Sequence, residues 1–169
     1  MRALVGQARD YEVALVASNK PRAAGLEWAE VHGLPTWAIE SRGLEKEEFD
    51  RKLSATLDEH RVGTVALAGF MRILSAWFVD QWSGRIVNIH PSLLPKYRGL
   101  DTHARAIEAG DLASGCSVHL VTEDLDAGEV LGQTEVPIEP GDTPASLEQR
   151  VLAAEHKLYP KVLSKFAKR

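Results

Sequence analysis

The sequence predicts an α/β fold: a mostly parallel, twisted sheet with helices on both faces, and antiparallel pairing toward its C-terminal half. Two patterns carry that prediction. Short β-like apolar runs alternate along the chain with stretches of helical period, the arrangement of successive βαβ units. Residues 62–70 are nearly continuous in apolar and small side chains, as expected of a central parallel strand covered on both faces.

The elements follow in order. Residues 1–8 have the spacing of a short amphipathic helix, and residues 11–17 read as a strand. The turn formers Ser18-Asn19-Lys20 lead into a helix over 21–31, which Gly33-Leu34-Pro35 ends before a shorter strand at 36–39. Over 45–60, Phe49, Leu53 and Leu57 fall at i, i+4 and i+8, so one apolar stripe faces the sheet. A short helix at 76–82 separates the central strand from the next buried one, 86–89. After a proline-rich loop at 91–99 comes a helix at 102–109. Strands at 117–122 and 130–136, joined by an acidic turn at 123–128, are spaced to pair antiparallel. The last helix opens on Asp142-Thr143-Pro144 and carries Leu147, Val151, Ala154 and Leu158 at helical spacing, with Pro160 expected to kink or divide it.

At 169 residues, 44% hydrophobic and 26% charged, the chain has the size of a single domain, 1–169, with a substantial core. A formal charge of -4 disfavours a nucleic-acid partner, because contacts to a phosphate backbone require a basic surplus. One cysteine, Cys116, forms no internal disulfide and matches no metal-ligand spacing, which points to a reducing, cytoplasmic setting without a metal. No apolar run approaches the roughly 20 residues that span a bilayer, so no membrane partner is expected.

A Rossmann-like, doubly wound sheet normally opens with a strand and a Gly-rich turn whose backbone N–H groups hold phosphate. This sequence opens on a helix, and none of its 13 glycines stands in a Gly-x-Gly arrangement. The expectation is an amino-terminally truncated domain that lacks the first strand and its phosphate loop.

Chemistry concentrates in Asn88-Ile89-His90-Pro91-Ser92-Leu93-Leu94-Pro95-Lys96-Tyr97-Arg98-Gly99, at the carboxyl end of a predicted buried strand. Side chains alternate along a strand, so Asn88 and His90 share a face about 7 Å apart. A carboxamide donor beside an imidazole suits acyl transfer: the first stabilises a carbonyl oxygen gaining charge, the second moves a proton near neutral pH. Spacing alone leaves open a packed loop histidine beside a turn-forming asparagine.

The stretch from Asn88 to Gly99 resembles the signature of the folate-dependent formyltransferases, with Asn88 and His90 at the family's catalytic positions. Gly99-Leu100-Asp101-Thr102-His103-Ala104-Arg105-Ala106, Glu155-His156-x-Leu158-Tyr159-Pro160 and Ala68-Gly69-Phe70-Met71-Arg72-Ile73-Leu74 are similar to its phosphoribosylglycinamide branch. The resemblance runs from Met1 to Phe166 and implies a formyltransferase fold, with 10-formyltetrahydrofolate as co-substrate and no metal. It implies that Asp126 is the family's catalytic aspartate, acting on His90 by charge; read from the residues alone, 122–128 is an ordinary acidic turn.

The same resemblance implies a folate-binding set of Lys46, Met71, Arg72, Ile73, Leu74, Asn88, Thr122, Glu123, Asp124, Leu125 and Asp126. Pro91 and Glu155 would meet the ribonucleotide, and Leu152 stands where relatives often carry a polar residue. His103 and His119 lie near the site by analogy, with packing or solvent-facing roles equally open. The implied activity is transfer of a formyl group to glycinamide ribonucleotide by a monomer or homodimer. The alternatives are an inactive folate-binding remnant or a different formyltetrahydrofolate-dependent formyltransferase.

Overall fold

The computed structural model describes residues 1–168. In chain order they form α1 (Arg2–Gly6), β1 (Val16–Ser18), α2 (Ala24–Val31), β2 (Thr36–Ala38), α3 (Lys46–Glu59), β3 (Val65–Leu67), α4 (Ala76–Gln81), β4 (Ile86–His90), α5 (Thr102–Glu108), β5 (Ala113–Leu120), β6 (Val130–Pro137) and α6 (Pro144–Phe166). β1 and β2 pair in parallel as a two-stranded sheet, while the second sheet has the order β3-β4-β5-β6. β3 and β4 are parallel and β4-β5-β6 antiparallel, so the expected change of sense falls in the C-terminal half.

Helices cover both faces. On one, Leu147, Val151, Leu158, Val162 and Leu163 of α6 pack on Val87, Cys116, Val118 and Val136 of the sheet. On the other, Phe49, Leu53 and Leu57 of α3 meet Phe78, Val79, Trp82 and Ile86. The i, i+4, i+8 stripe read from the sequence is thus the buried face of α3, and each fully buried large side chain contributes about 1.5–3 kcal/mol. Trp82, also enclosed there, donates its indole N–H to Ser54 Oγ at 2.9 Å. No helix among the described residues is long and apolar enough to cross a membrane.

Four elements differ from expectation. Of the strand expected at 11–17, only Val16 and Ala17 join the ladder of β1. Tyr11 instead donates its hydroxyl to the Leu4 carbonyl at 2.7 Å, closing the end of α1. The expected central strand at 62–70 contributes only Val65–Leu67 to a ladder and lies at the edge of its sheet, with β4 as its one partner among the described residues. β5 starts four residues earlier than expected, because Ala113–Cys116 continue the ladder with β6.

The fourth difference is α6, which runs undivided through Pro160. Proline removes the N–H that would bond the carbonyl four residues earlier. That carbonyl, on His156, accepts the Gln7 side-chain amide at 3.2 Å instead, from the end of α1 packed alongside. At its start, α6 has the expected cap: Thr143 Oγ1 accepts from Ser146 N, the Ser146 hydroxyl accepts from Thr143 N, and Pro144 sits in the first turn.

Candidate active site

β4 ends on the two residues that the sequence singles out. Its antiparallel register with β5 sets Asn88 opposite His119 and His90 opposite Ser117, so these four side chains share one face of the sheet. β5 is otherwise apolar over this stretch; the polar residues at 117 and 119, spaced by two, are the sequence signal for this second half of the site.

His119 is buried and its protonation pattern follows from its neighbours. Nδ1 lies 2.8 Å from the Leu120 carbonyl, which only an N–H can satisfy, so Nε2 is left as an acceptor. Asn88 Nδ2 stands 3.2 Å from that Nε2 and donates one amide hydrogen to it. Burial pushes the His119 ring below its ordinary value, the Leu120 carbonyl and Asp126 oppose that shift and His90 adds to it, which keeps the ring neutral. The second Asn88 N–H is not used by His119.

His90, 5% exposed, has an acceptor at each ring nitrogen. Nε2 donates to the Tyr97 carbonyl at 2.9 Å, and Nδ1 faces Asp126 Oδ2 at 3.3 Å. Asp126 belongs to the 121–129 connection, which folds back over the face of β4 carrying Asn88 and His90. Its Oδ2 also accepts the Gly99 N–H at 3.0 Å, and its Oδ1 is 3.5 Å from His119 Nε2. Gly128 permits that fold-back: a Cβ there would stand 2.0 Å from the Leu120 carbonyl oxygen.

The loop 91–99 is held from beneath by side chains of β5 and β6. Ser117 Oγ donates to the Ser92 carbonyl at 2.6 Å and accepts from Leu94 N and from Gln133 Nε2. Gln133 also donates to the Leu94 carbonyl at 2.8 Å. Ser92 Oγ closes the loop on the Lys96 carbonyl, and the Leu94-Pro95 bond is cis. Ser117 and Gln133 are absent from the site residues drawn from the sequence. His119, named there as near the site by analogy with a packing or solvent-facing role equally open, contacts Asn88 and Asp126.

The other expected residues divide. Met71, Ile73 and Leu125 are exposed at 74%, 67% and 60%. Leu74 is a core residue packed with Phe78 and Val79. Arg72 spends NH1 and NH2 on the carbonyls of Ser41 and Leu44 and lies over the Phe49 ring, so it clamps the segment before α3 rather than standing in solvent. Lys46 is exposed in the first turn of α3, two residues past that clamp. Thr122, Glu123 and Asp124 are exposed on the turn that delivers Asp126, and Pro91 is half-buried directly after His90.

Glu155, half-buried on α6, carries a carboxyl pushed up to about 7 by burial, with Glu148 adding to the rise and the Met1 ammonium opposing it. His103 is pushed down by burial, against the pull of Glu148 and with help from His90, and its Nδ1 is buried without a partner. His103 on α5 thus interacts electrostatically with both Glu148 of α6 and His90. Among the described residues, no cluster of three or more His, Cys, Asp or Glu is placed to hold a metal ion.

Comparison with known proteins places the chain in a family. The formyl transferase family model matches residues 2–163. The chain is 47% identical over 156 residues to phosphoribosylglycinamide formyltransferase of Escherichia coli, covering 92% of this chain and 74% of that protein. It is 44% identical over 168 residues to the human trifunctional purine biosynthetic protein adenosine-3, covering 96% of this chain but 17% of that longer protein. Among solved structures it is similar to the phosphoribosylglycinamide formyltransferase of Coxiella burnetii at a TM-score of 0.92 and 45% identity, spanning 99% of this chain and 81% of that one. With the match running from residue 2 to residue 163 and the fold retained across it, the chain belongs to the formyl transferase family.

Proposed function

We propose that this chain transfers the formyl group of 10-formyltetrahydrofolate to the amine of glycinamide ribonucleotide, a step of purine biosynthesis. The observation that carries the proposal is the convergence of Asn88 and His90 from β4 and of Asp126 from the 121–129 connection onto one face, within 3.2–3.5 Å of one another or of His119 on β5.

In the reaction, the amine nitrogen bonds to the formyl carbon, the bond from that carbon to the folate nitrogen breaks, and a proton passes from the amine to the departing nitrogen. The unused Asn88 N–H stabilises the oxyanion formed between those events, with the His90 ring beside it. Asp126 Oδ2, 3.3 Å from Nδ1, holds the His90 ring in position. Exposed Met71, Ile73 and Leu125 offer apolar cover for a flat pterin, while Thr122, Glu123, Asp124 and Asp126 present polar groups at its edge. Exposed Lys46 reaches for the acidic tail, and Arg72 fixes the segment before it through the Ser41 and Leu44 carbonyls. Leu74 packs in the core below, and Pro91 and Glu155 meet the ribonucleotide.

The chain works in the cytoplasm on small molecules, as a monomer or homodimer, and needs no metal, since transfer from an activated folate to an amine requires no Lewis acid. The direct test is formylation of glycinamide ribonucleotide by the 169-residue chain with 10-formyltetrahydrofolate as donor. Transfer that survives His90→Ala unchanged removes the assigned chemistry.

A second reading is favoured by one observation, the lack of any Gly-x-Gly among 13 glycines. Here the chain binds folate but not the ribonucleotide phosphate, and formyl transfer is absent. Calorimetric titration with each substrate alone separates the two: binding of both supports transfer, binding of folate only supports the second reading.

A further inference from the structure

The His90 ring and its Asp126 partner are both gripped by one short piece of chain. The Tyr97 carbonyl accepts from His90 Nε2 at 2.9 Å, and the Gly99 N–H donates to Asp126 Oδ2 at 3.0 Å. Where residues 97–99 stand therefore sets where both side chains stand.

The backbone preference of this segment does not hold it there. Tyr97 has φ +55°, in the left-handed region that a bulky residue disfavours because its Cβ crowds the following carbonyl. Such a residue keeps that conformation only when its surroundings over-determine it. A return to negative φ would swing the Tyr97 carbonyl off His90.

The hold comes through the side chain. The Tyr97 hydroxyl donates to Asp111 Oδ2 at 2.8 Å, and Lys96 Nζ reaches both oxygens of the same carboxylate at 2.9 Å. Lys96 first and Tyr97 second keep the Asp111 carboxyl below its ordinary value, so it stays an acceptor. Lys96 is exposed and its ion pair is screened by water, which leaves the part-buried hydroxyl bond as the firmer tie. Asp111 is itself anchored. Its N–H donates to the Ala106 carbonyl of α5, and the carbonyl of the next residue, Leu112, accepts from Ile138 N just past β6. Arg105 of α5 lies over the Tyr97 ring and donates to the Arg98 and Leu100 carbonyls, bracing the same segment.

We infer that Asp111 is a positioning residue for the proposed formyl transfer: through the Tyr97 hydroxyl it keeps the Tyr97 carbonyl on His90 Nε2 and so sets the orientation of the ring. The kinetic consequence rests on the activity proposed above, whereas the orientation of the ring does not. Loss of the tie leaves every reacting group in place but aims one of them wrongly, so turnover suffers and substrate binding does not.

Three variants test this. Tyr97→Phe keeps the ring under Arg105 and removes the hydroxyl, Asp111→Leu removes the acceptor, and Asp111→Asn retains an oxygen that can accept. In Tyr97→Phe and Asp111→Leu, kcat is expected to fall about tenfold with KM for both substrates changed by less than about twofold. The double variant is no slower than the slower single one, and Asp111→Asn stays within about threefold of the parent. The second readout is the nitrogen NMR shift of His90 Nε2, detected through the non-exchanging ring protons and assigned by its loss in His90→Gln. It moves in Tyr97→Phe and Asp111→Leu and stays put in Asp111→Asn. A lowered Tm with an unmoved Nε2 shift would mean a merely structural tie and overturns the inference. So do additive losses in the double variant, or Asp111→Asn as slow as Asp111→Leu. Should Asp111→Leu fail to fold, Tyr97→Phe, which lacks a single oxygen, carries both readouts. A parent chain that transfers no formyl group removes the proposed activity, and the Nε2 shift still decides how the ring is held.

Discussion

The Asn88 carboxamide is oriented by His119: its Nδ2 lies 3.2 Å from an imidazole nitrogen that is an acceptor because the other ring nitrogen donates to the Leu120 carbonyl at 2.8 Å. One backbone carbonyl therefore decides which way the Asn88 amide points. His119 is a positioning residue in this scheme, and its removal leaves Asn88 free to rotate without taking away the donor itself.

The two roles separate kinetically. Asn88→Ala is expected to lower kcat about 100–1000-fold, the range for losing one oxyanion donor. His119→Ala lowers kcat by about 10–100-fold through misplacement, with KM for both substrates changed by less than about twofold. The double variant is no slower than Asn88→Ala alone, because His119 acts through that amide. Steady-state kinetics on the four proteins checks this; additive losses would mean that His119 has a separate task.

Asp126→Asn keeps the size of the side chain and an oxygen for the Gly99 N–H, but removes the charge beside His90. Single-turnover transfer near neutral pH is expected to slow by about 100-fold or more, with circular dichroism unchanged. A rate within threefold of the parent would remove the electrostatic role of this carboxylate.

Glu155 makes stability depend on pH with a definite sign. Its folded carboxyl titrates at about 7 against an ordinary value of 4.5, chiefly because burial penalises the charged form. Between those values the folded chain keeps a proton that the unfolded chain has released, so stability falls as pH rises through this window and levels off above it. Glu155→Gln removes this component. Urea midpoints for the variant are expected to vary less with pH across the window, and to exceed those of the parent at its upper end.

The Gln7 amide substitutes for the backbone donor that Pro160 lacks. Gln7→Ala is expected to cost about 0.5–1 kcal/mol, the usual net value of one hydrogen bond. In a Pro160→Ala background, where the backbone N–H returns to the His156 carbonyl, the same change costs nearly nothing. Denaturant unfolding of the four proteins yields the coupling energy, and equal costs in both backgrounds would contradict this account.

Local pattern was enough where an element's neighbours are close in sequence or its stripe is strongly periodic. The Phe49, Leu53, Leu57 face of α3, the Thr143 cap of α6 and the Asn88/His90 face of β4 all follow from spacing, since helix and strand periods act within a few residues. Strand extents were less legible, as residues 11–15 and 62–64 show: apolar composition reports a preference for burial, and pairing needs a neighbouring backbone that composition does not reveal. The α6 helix shows the converse, because a proline that breaks helices in isolation is tolerated once Gln7 arrives from α1.

The sequence by itself determined the α/β class, the apolar stripes, and a carboxamide and imidazole side by side on a strand end, because these depend on residue type and short-range geometry. Only the tertiary structure decided that Asp126 meets His90, that His119 turns the Asn88 amide, and that Arg72 is committed to two backbone carbonyls. Each of these joins groups from elements far apart in the chain or held by a fold-back turn. Their distances are set by how the strands register and the helices pack, which no local pattern encodes.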